Sequence, residues 1–128
     1  MNPLTEEWIL KAERDRATAE RELRVSSEPN FDAVCFHSQQ CVEKYFKALL
    51  HEARIAFPKT HDLPTLLDLL LPIEPSWRQF RGDLQELTSF AIAYRYPGLM
   101  ANRKVARKAF ADCKRIRRIC RRSLGLAK

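Results

Sequence analysis

The stretch from Phe31 to Ala53 constrains the fold more than any other part of the chain, because it contains no Gly or Pro and has the longest apolar periodicity. Its apolar side chains recur at steps of three and four, which places them on one side of an α-helix. They are Val34, Cys35, Val42, Tyr45, Phe46, Leu49 and Ala53. We therefore expect a central helix whose solvated side carries the charged residues Asp32, Glu43, Lys47 and Glu52.

One amide interrupts the apolar side of this helix. Gln39 lies in the row formed by Cys35, Val42 and Phe46. An unpaired polar group in a core costs roughly 1–3 kcal/mol. We therefore expect a group from across the core to form a hydrogen bond with Gln39.

The composition favours one all-α domain over residues 1–128. A chain of 128 residues with only 3 Gly and long stretches of Ala, Leu, Arg, Lys and Glu is typical of helical proteins. No stretch shows the alternation of a β-strand. We therefore predict an up-and-down helical bundle of four or five helices.

Start and stop signals divide the chain into helices with short connections. Asn2 and Pro3 are suited to start the first helix, and Pro64 fits a first helical turn. Pro97 and Gly98 mark a sharp change of direction. The predicted helices are Pro3 to about Arg24, Phe31 to Ala53, His61 to Leu71 with Thr60 as its N-cap, Pro75 to about Arg95, and about Asn102 to Leu124.

The sequence lacks the signals of membrane insertion and secretion. No apolar run approaches the ~20 residues that a membrane span requires. The N-terminus, MNPLTEEW, has no basic region followed by an apolar one. We therefore expect a cytoplasmic protein without a membrane partner.

The four cysteines Cys35, Cys41, Cys113 and Cys120 lie inside predicted helices and form no C-x-x-C pair. This pattern favours small buried apolar residues. An alternative is a metal site, since His37 and Cys41 lie one helical turn apart and Cys113 or Cys120 would supply a further ligand. The spacing matches no common zinc pattern, so we expect neither a metal nor a cofactor.

The net charge of +7 is concentrated in the last predicted helix. Residues 103–128 hold 11 Lys and Arg against one acid, Asp112, and so carry +10, whereas residues 1–102 hold 12 against 15 and carry −3. This asymmetry favours an anionic partner such as nucleic acid, nucleotide or an acidic protein surface. The alternative is a solvated face of an Arg-rich protein.

An acidic residue lies on the apolar side of the first helix. The spacing of Trp8, Ala12 and Ala19 turns Asp15 inward, where a lone carboxylate is unfavourable. It therefore needs a cation. We predict that Arg95, at the end of a later helix, pairs with Asp15.

Three pieces of sequence in a fixed order carry a family resemblance. The central helix contains Phe36-His37-Ser38-Gln39-Gln40, Glu43-Lys44 and Lys47-Ala48-Leu49-Leu50. Thr60-His61-Asp62-Leu63 follows, and Ala93-Tyr94-Arg95-Tyr96-Pro97-Gly98 precedes the last helix. Together these pieces span most of the chain and resemble HEPN domains, which are small helical proteins of prokaryotes and eukaryotes.

The resemblance implies a specific chemistry. Catalytic HEPN members are metal-independent ribonucleases with an Arg followed four to six residues later by a His. Arg95 is at the position of that Arg, but the positions of the His hold Met100, Ala101 and Asn102. RNA cleavage of this type needs a group that exchanges a proton near neutral pH. The remaining candidates are His37 and His61, which could approach Arg95 from neighbouring helices.

We therefore expect a nucleotide- or RNA-binding module, with enzymatic activity left open. Arg95 would hold a phosphate and a tyrosine would stack a base, or else the tyrosines complete the core and Arg95 only neutralises Asp15. The candidate ligand-binding residues are Arg95, Tyr94, Tyr96, Asp15, His37, His61 and Lys44.

Two alternatives from other classes remain. The chain is a metal-independent ribonuclease toxin that uses His37 or His61, or it is a helical interaction protein without a ligand. Many HEPN members are toxins encoded beside an MNT-type nucleotidyltransferase, so the resemblance implies such a partner and a homodimer. An apolar patch around Tyr94, Tyr96, Leu99 and Met100 also favours the dimer.

Overall fold

The computed structural model describes residues 1–127, which form a bundle of five α-helices and one 3-10 helix. No β-strand occurs among these residues. The predicted all-α bundle is therefore confirmed. The elements are α1 (Pro3–Arg24), α2 (Phe31–Glu52), α3 (Leu63–Leu70), the 3-10 helix (Pro75–Phe80), α4 (Arg81–Ala93) and α5 (Arg103–Ser123).

The first turns of the helices are fixed by side-chain caps. The side chains of Asn2, Asn30 and Asn102 accept hydrogen bonds from the first-turn amides of α1, α2 and α5, which would otherwise lack a partner. The prediction that Thr60 caps α3 was wrong. The helix begins at Leu63, so Asp62 is the cap, and its carboxylate accepts from the Thr65 amide at 3.1 Å and from the Thr65 hydroxyl at 2.6 Å.

The segment before Pro97 is divided differently from the prediction. Residues 75–80 form a 3-10 helix instead of the first turns of α4, and α4 ends at Ala93. Gly98 has a φ of +111°, a left-handed conformation that only glycine adopts without strain. Tyr94 and Arg95 therefore follow α4 directly, in a turn.

Helix α2 is the centre of the bundle, as predicted, and contacts each of the other four α-helices. Most of its apolar side chains, among them Tyr45, Phe46 and Leu50, are almost fully buried, whereas Phe31 and Phe36 are partly exposed. All four cysteines are free and buried, which confirms their interpretation as small core residues. No helix within residues 1–127 has the length and apolarity needed to span a membrane.

The charged side of α2 is less exposed than the sequence indicated. Glu43 and Lys47 were predicted to be solvated, yet they are 3% and 8% exposed. The two side chains are buried because they form polar and aromatic contacts. Lys47 Nζ donates to Glu43 at 3.0 Å and lies 5.6 Å from the centre of the Trp8 ring of α1.

A polar network joins α1, α2 and α5. Arg117 of α5 donates twice to the Glu13 carboxylate of α1, at 2.6 and 2.7 Å, and Tyr45 of α2 donates to the same carboxylate at 2.6 Å. Partial burial of Glu13 opposes its ionisation. The hydrogen bonds and the charge of Arg117 outweigh that effect and lower the pKa of Glu13 to about 2.

We predict that Glu13→Gln lowers the free energy of unfolding by about 2 kcal/mol at pH 7, since the carboxylate is partly solvated and its pKa shift contributes less than its full value. The pKa of Glu13 is lower in the folded protein than in the unfolded chain, so its contribution is present above about pH 4.5 and disappears as the pH falls toward 2. Urea unfolding at pH 7 and pH 2.5 measures this. An equal difference between the two proteins at both pH values would exclude the carboxylate as the cause.

Candidate functional site

Arg95 lies in the turn after α4, with an exposed side chain. Its guanidinium carbon is 5.6 Å from the centre of the Phe36 ring of α2, within the range of a cation–π contact. Among residues 1–127, no carboxylate lies within 4 Å of this guanidinium. The group is therefore held in place by an aromatic ring while its hydrogen-bond donors stay available.

Two pockets share Arg95 and Phe36. The first, which we call the His61 pocket, has a volume of about 180 Å³ and is lined by residues of α2, α4 and the connection before α3. The second, the His37 pocket, has a volume of about 320 Å³ and extends to the N-terminal turn of α2. Tyr94 also lines the His37 pocket. A ligand group at Arg95 would therefore have a pocket on either side of it.

His37 is backed by a carboxylate of α1. Oδ1 of Asp15 lies 2.7 Å from His37 Nδ1, and Oδ2 accepts from Lys44 Nζ at 2.6 Å. Asp15 itself is 8% exposed. Burial opposes its ionisation, but the hydrogen bonds from His37 and Lys44 and the charge of Lys44 outweigh that effect and lower the pKa of Asp15.

The predicted pair between Asp15 and Arg95 was therefore wrong, although Asp15 does point inward as expected. Helix α1 packs along α2. The carboxylate meets two side chains of α2, His37 and Lys44, which lie two helical turns apart on the same side. Arg95 instead lies against Phe36.

His61 is backed by a different carboxylate. Its Nδ1 lies 2.9 Å from Oε1 of Glu43. The His61 side chain is 76% exposed and Glu43 only 3%. In the tautomer that donates from Nδ1 to this oxygen, Nε2 is left as a free acceptor at the mouth of the His61 pocket.

The buried carboxylate of Glu43 is held by several donors. Gln39 donates to Glu43 at 3.1 Å and to the backbone carbonyl of His61 at 2.8 Å. Gln40 and Lys47 also donate to Glu43, at 3.2 and 3.0 Å. The predicted partner for Gln39 across the core is thereby found, and it is the backbone of His61.

The structure brings together most of the predicted site residues. Arg95, Tyr94 and His37 meet at the His37 pocket, with Asp15 and Lys44 behind the imidazole. Arg95 and His61 meet at the other pocket. Tyr96 is 63% exposed and lines neither pocket.

Two residues of the site were missed by sequence reasoning. Phe36 was not predicted to take part in the site, and Glu43 was predicted to lie on the solvated side of α2. A signal for Glu43 was present, because it lies one helical turn after Gln39 and two polar residues at that spacing can satisfy one another inside a core. No comparable signal marked Phe36. No group of three or more His, Cys, Asp or Glu residues arranged to hold a metal ion occurs within residues 1–127.

The comparison with protein families settles the relationship of this chain. The model of the HEPN domain matches residues 5–123, which is nearly the whole chain. The chain belongs to the HEPN domain family. Searches of curated proteins and of solved structures returned no significant match. Membership of the HEPN family supports, at a coarse level, a role connected with nucleotides or RNA.

In this HEPN domain, two of the three positions expected for the motif histidine hold residues that stabilise the fold. The amide of Ala101 donates to Asp32 at 2.7 Å, and the Asn102 side chain accepts from Val105 at 2.8 Å to cap α5. Met100 is 85% exposed. These three residues precede α5, and none of their side chains exchanges a proton near neutral pH.

Proposed function

We propose that this HEPN domain is a nucleotide- or RNA-binding module whose phosphate ligand is Arg95. The observation that supports this most is the exposed guanidinium of Arg95, which stacks on Phe36 between two pockets and has no carboxylate partner among residues 1–127. Guanidinium groups bind phosphate oxygens through two parallel hydrogen bonds. A phosphate at Arg95 would use donors that the fold leaves available.

The His37 pocket is the better of the two for a nucleobase. It is the larger of the pair and combines the Tyr94 ring with polar groups of Asn30 and Asp32. Aromatic rings stack bases of any sequence, whereas the edges of a base need donors and acceptors. We therefore assign the phosphate to Arg95 and the base to the space beside Tyr94.

We predict that Arg95→Ala weakens nucleotide binding by about 10- to 100-fold, the loss expected for charge-assisted hydrogen bonds. The free energy of unfolding should change by less than about 1 kcal/mol, because the lost contact is an exposed cation–π pair. Titration calorimetry with a mononucleotide and urea unfolding measure the two quantities. Arg14→Ala is the matched control, since Arg14 is an exposed arginine of α1 that lines neither pocket. Normal nucleotide binding by Arg95→Ala would refute the assignment.

A second candidate function is metal-independent cleavage of RNA. It is favoured by the two imidazoles of His37 and His61, each backed by a buried carboxylate and each in a pocket that Arg95 also lines. A carboxylate at Nδ1 fixes the tautomer and the orientation of the ring. This arrangement is suited to general acid–base chemistry.

The reaction would follow the chemistry of the ribose 2′-hydroxyl. One imidazole takes the hydroxyl proton, and the 2′-oxygen attacks the adjacent phosphorus. The bond from phosphorus to the 5′-oxygen then breaks, and the second imidazole, in its protonated form, gives a proton to the leaving oxygen. The products are a 2′,3′-cyclic phosphate and a 5′-hydroxyl. Arg95 would stabilise the charge on the phosphate oxygens.

If cleavage occurs, we predict that His61→Gln slows it by about 100-fold or more, the usual loss for a missing acid or base. His37→Gln should have a similar effect, while His51→Gln serves as the matched control because His51 lines neither pocket. The measurement is the cleavage rate of total RNA in the presence of a chelator. If the wild-type protein leaves RNA intact, the ribonuclease function is excluded and the binding module remains.

We further propose that the domain acts as the toxin-like partner of an MNT-type nucleotidyltransferase and that it forms a homodimer. The exposed residues Tyr96, Leu99 and Met100, at 63%, 60% and 85%, give the turn before α5 an apolar surface that a second copy would cover.

We predict a mass of two chains by light scattering at tens of micromolar, and a single-chain mass for Met100→Glu, because a charge in a small apolar contact is unfavourable. Lys59→Glu, at an exposed position in the connection before α3, is the control and should stay dimeric. A monomeric wild-type protein would argue against the homodimer.

A further inference from the structure

The structure divides the cations of α5 into two groups. Those that face the neighbouring helices are paired with carboxylates. Lys108 and Arg115 bind Asp83 of α4 and Asp112 of α5 itself, and Arg117 binds Glu13 of α1. The other seven have no carboxylate within 4 Å among residues 1–127. Two of them have other partners, since Arg103 lies over the Phe31 ring and Arg121 donates to the Tyr45 hydroxyl and the Ala127 carbonyl. The five that are left are Lys104, Arg107, Lys114, Arg118 and Arg122.

These five residues lie in one line, which we call the α5 stripe. They follow each other at steps of three, seven, four and four positions, with Ala111 filling the middle of the step of seven. With 3.6 residues per turn, this spacing keeps them within an arc of about 80°. At 1.5 Å per residue the stripe is about 27 Å long. All five residues are exposed.

Like charges one helical turn apart repel one another and destabilise a helix. The stripe contains three such pairs, namely Lys104 with Arg107, Lys114 with Arg118, and Arg118 with Arg122. Carboxylates that would relieve the repulsion are present nearby but are bound to Lys108, Arg115 and Arg117 on other sides of α5. The stripe is therefore a row of cations without an intramolecular counter-charge, which an external polyanion would neutralise.

We infer that the α5 stripe binds the phosphate backbone of double-stranded nucleic acid without reading its sequence. A duplex presents rigid rows of phosphates, which suit a straight, convex row of cations. Single strands are usually bound in grooves with exposed aromatic rings that stack the bases. The ring that a stripe residue covers is that of Phe110, which is 5% exposed and lies 5.2 Å from Lys114 Nζ.

This surface is separate from the Arg95 site and does not depend on the function proposed for it. The stripe lies on α5, whereas neither the His37 pocket nor the His61 pocket contains a residue of that helix. A mononucleotide would fill the Arg95 site and span little of a stripe about 27 Å long. The two surfaces are therefore distinguished by the length of the ligand that each retains.

The test uses a 20-base-pair DNA duplex and the full chain with three stripe residues replaced, Arg107→Gln, Lys114→Gln and Arg118→Gln. Affinity should fall by about 10-fold or more at physiological salt. The slope of log K against log salt should become shallower by about 2.7, since each cation that contacts phosphate contributes about 0.9. The variant should unfold at the same temperature as the wild type or higher, because the substitutions remove like-charge repulsion.

The matched control removes three positive charges from other elements through Lys11→Gln, Arg14→Gln and Lys59→Gln. All three residues are exposed, so the net charge falls equally without touching α5. The control should keep most of the affinity and the wild-type salt slope. Three results would overturn the inference: equal weakening by both variants, undiminished binding by the stripe variant, or equally effective displacement of the duplex by polyglutamate, which would indicate an acidic protein surface. Mononucleotide affinity should be the same in all three proteins.

Discussion

The buried carboxylate of Glu43 is the interaction on which much of this structure depends. A charge at 3% exposure is expensive unless it is paired and hydrogen-bonded. Here Lys47 supplies the opposite charge, while Gln39 and Gln40 donate to the carboxylate. A buried network satisfied in this way fixes side chains in one arrangement. It holds α2 in register with the connection that carries His61.

In two places of the site a buried carboxylate orients a histidine. Asp15 is buried between α1 and α2 and fixes His37, as Glu43 fixes His61. Each histidine takes its orientation from a carboxylate that is less exposed than itself. Arg95 has no such partner among residues 1–127 and takes its position from the Phe36 ring. Buried carboxylates thus orient the two histidine side chains, whereas an aromatic ring at the surface of the bundle orients the arginine side chain.

The sequence was sufficient for the fold because apolar periodicity and capping residues act locally. Asn2, Asn30 and Asn102 cap the helices they precede, and α2 contacts every other α-helix. The site was harder to predict. Its residues were mostly identified, yet their partners were not, because the pairing of Asp15 depends on which side of α2 meets α1. Periodicity shows that a residue points inward, but it does not show what it meets there.

The burial of Lys47 also shows that sequence periodicity does not determine the contacts of a side chain. A lysine next to charged residues on a helix ordinarily marks the solvated side. In this chain its ammonium group lies over the Trp8 ring and against Glu43, so a position that looks exposed in the sequence is covered by α1. Long side chains bury their aliphatic part readily. Whether the ammonium group is buried as well depends on how the two helices pack.

The start of α5 is occupied by residues that the fold itself uses. Asn102 must cap the helix and the Ala101 amide is bound to Asp32, so the backbone there is fixed by the bundle. The imidazoles that do line the Arg95 pockets come from α2 and from the connection before α3. The HEPN motif would supply its histidine from the segment before α5, whereas the imidazoles beside Arg95 in this chain come from two other elements and are each oriented by a buried carboxylate.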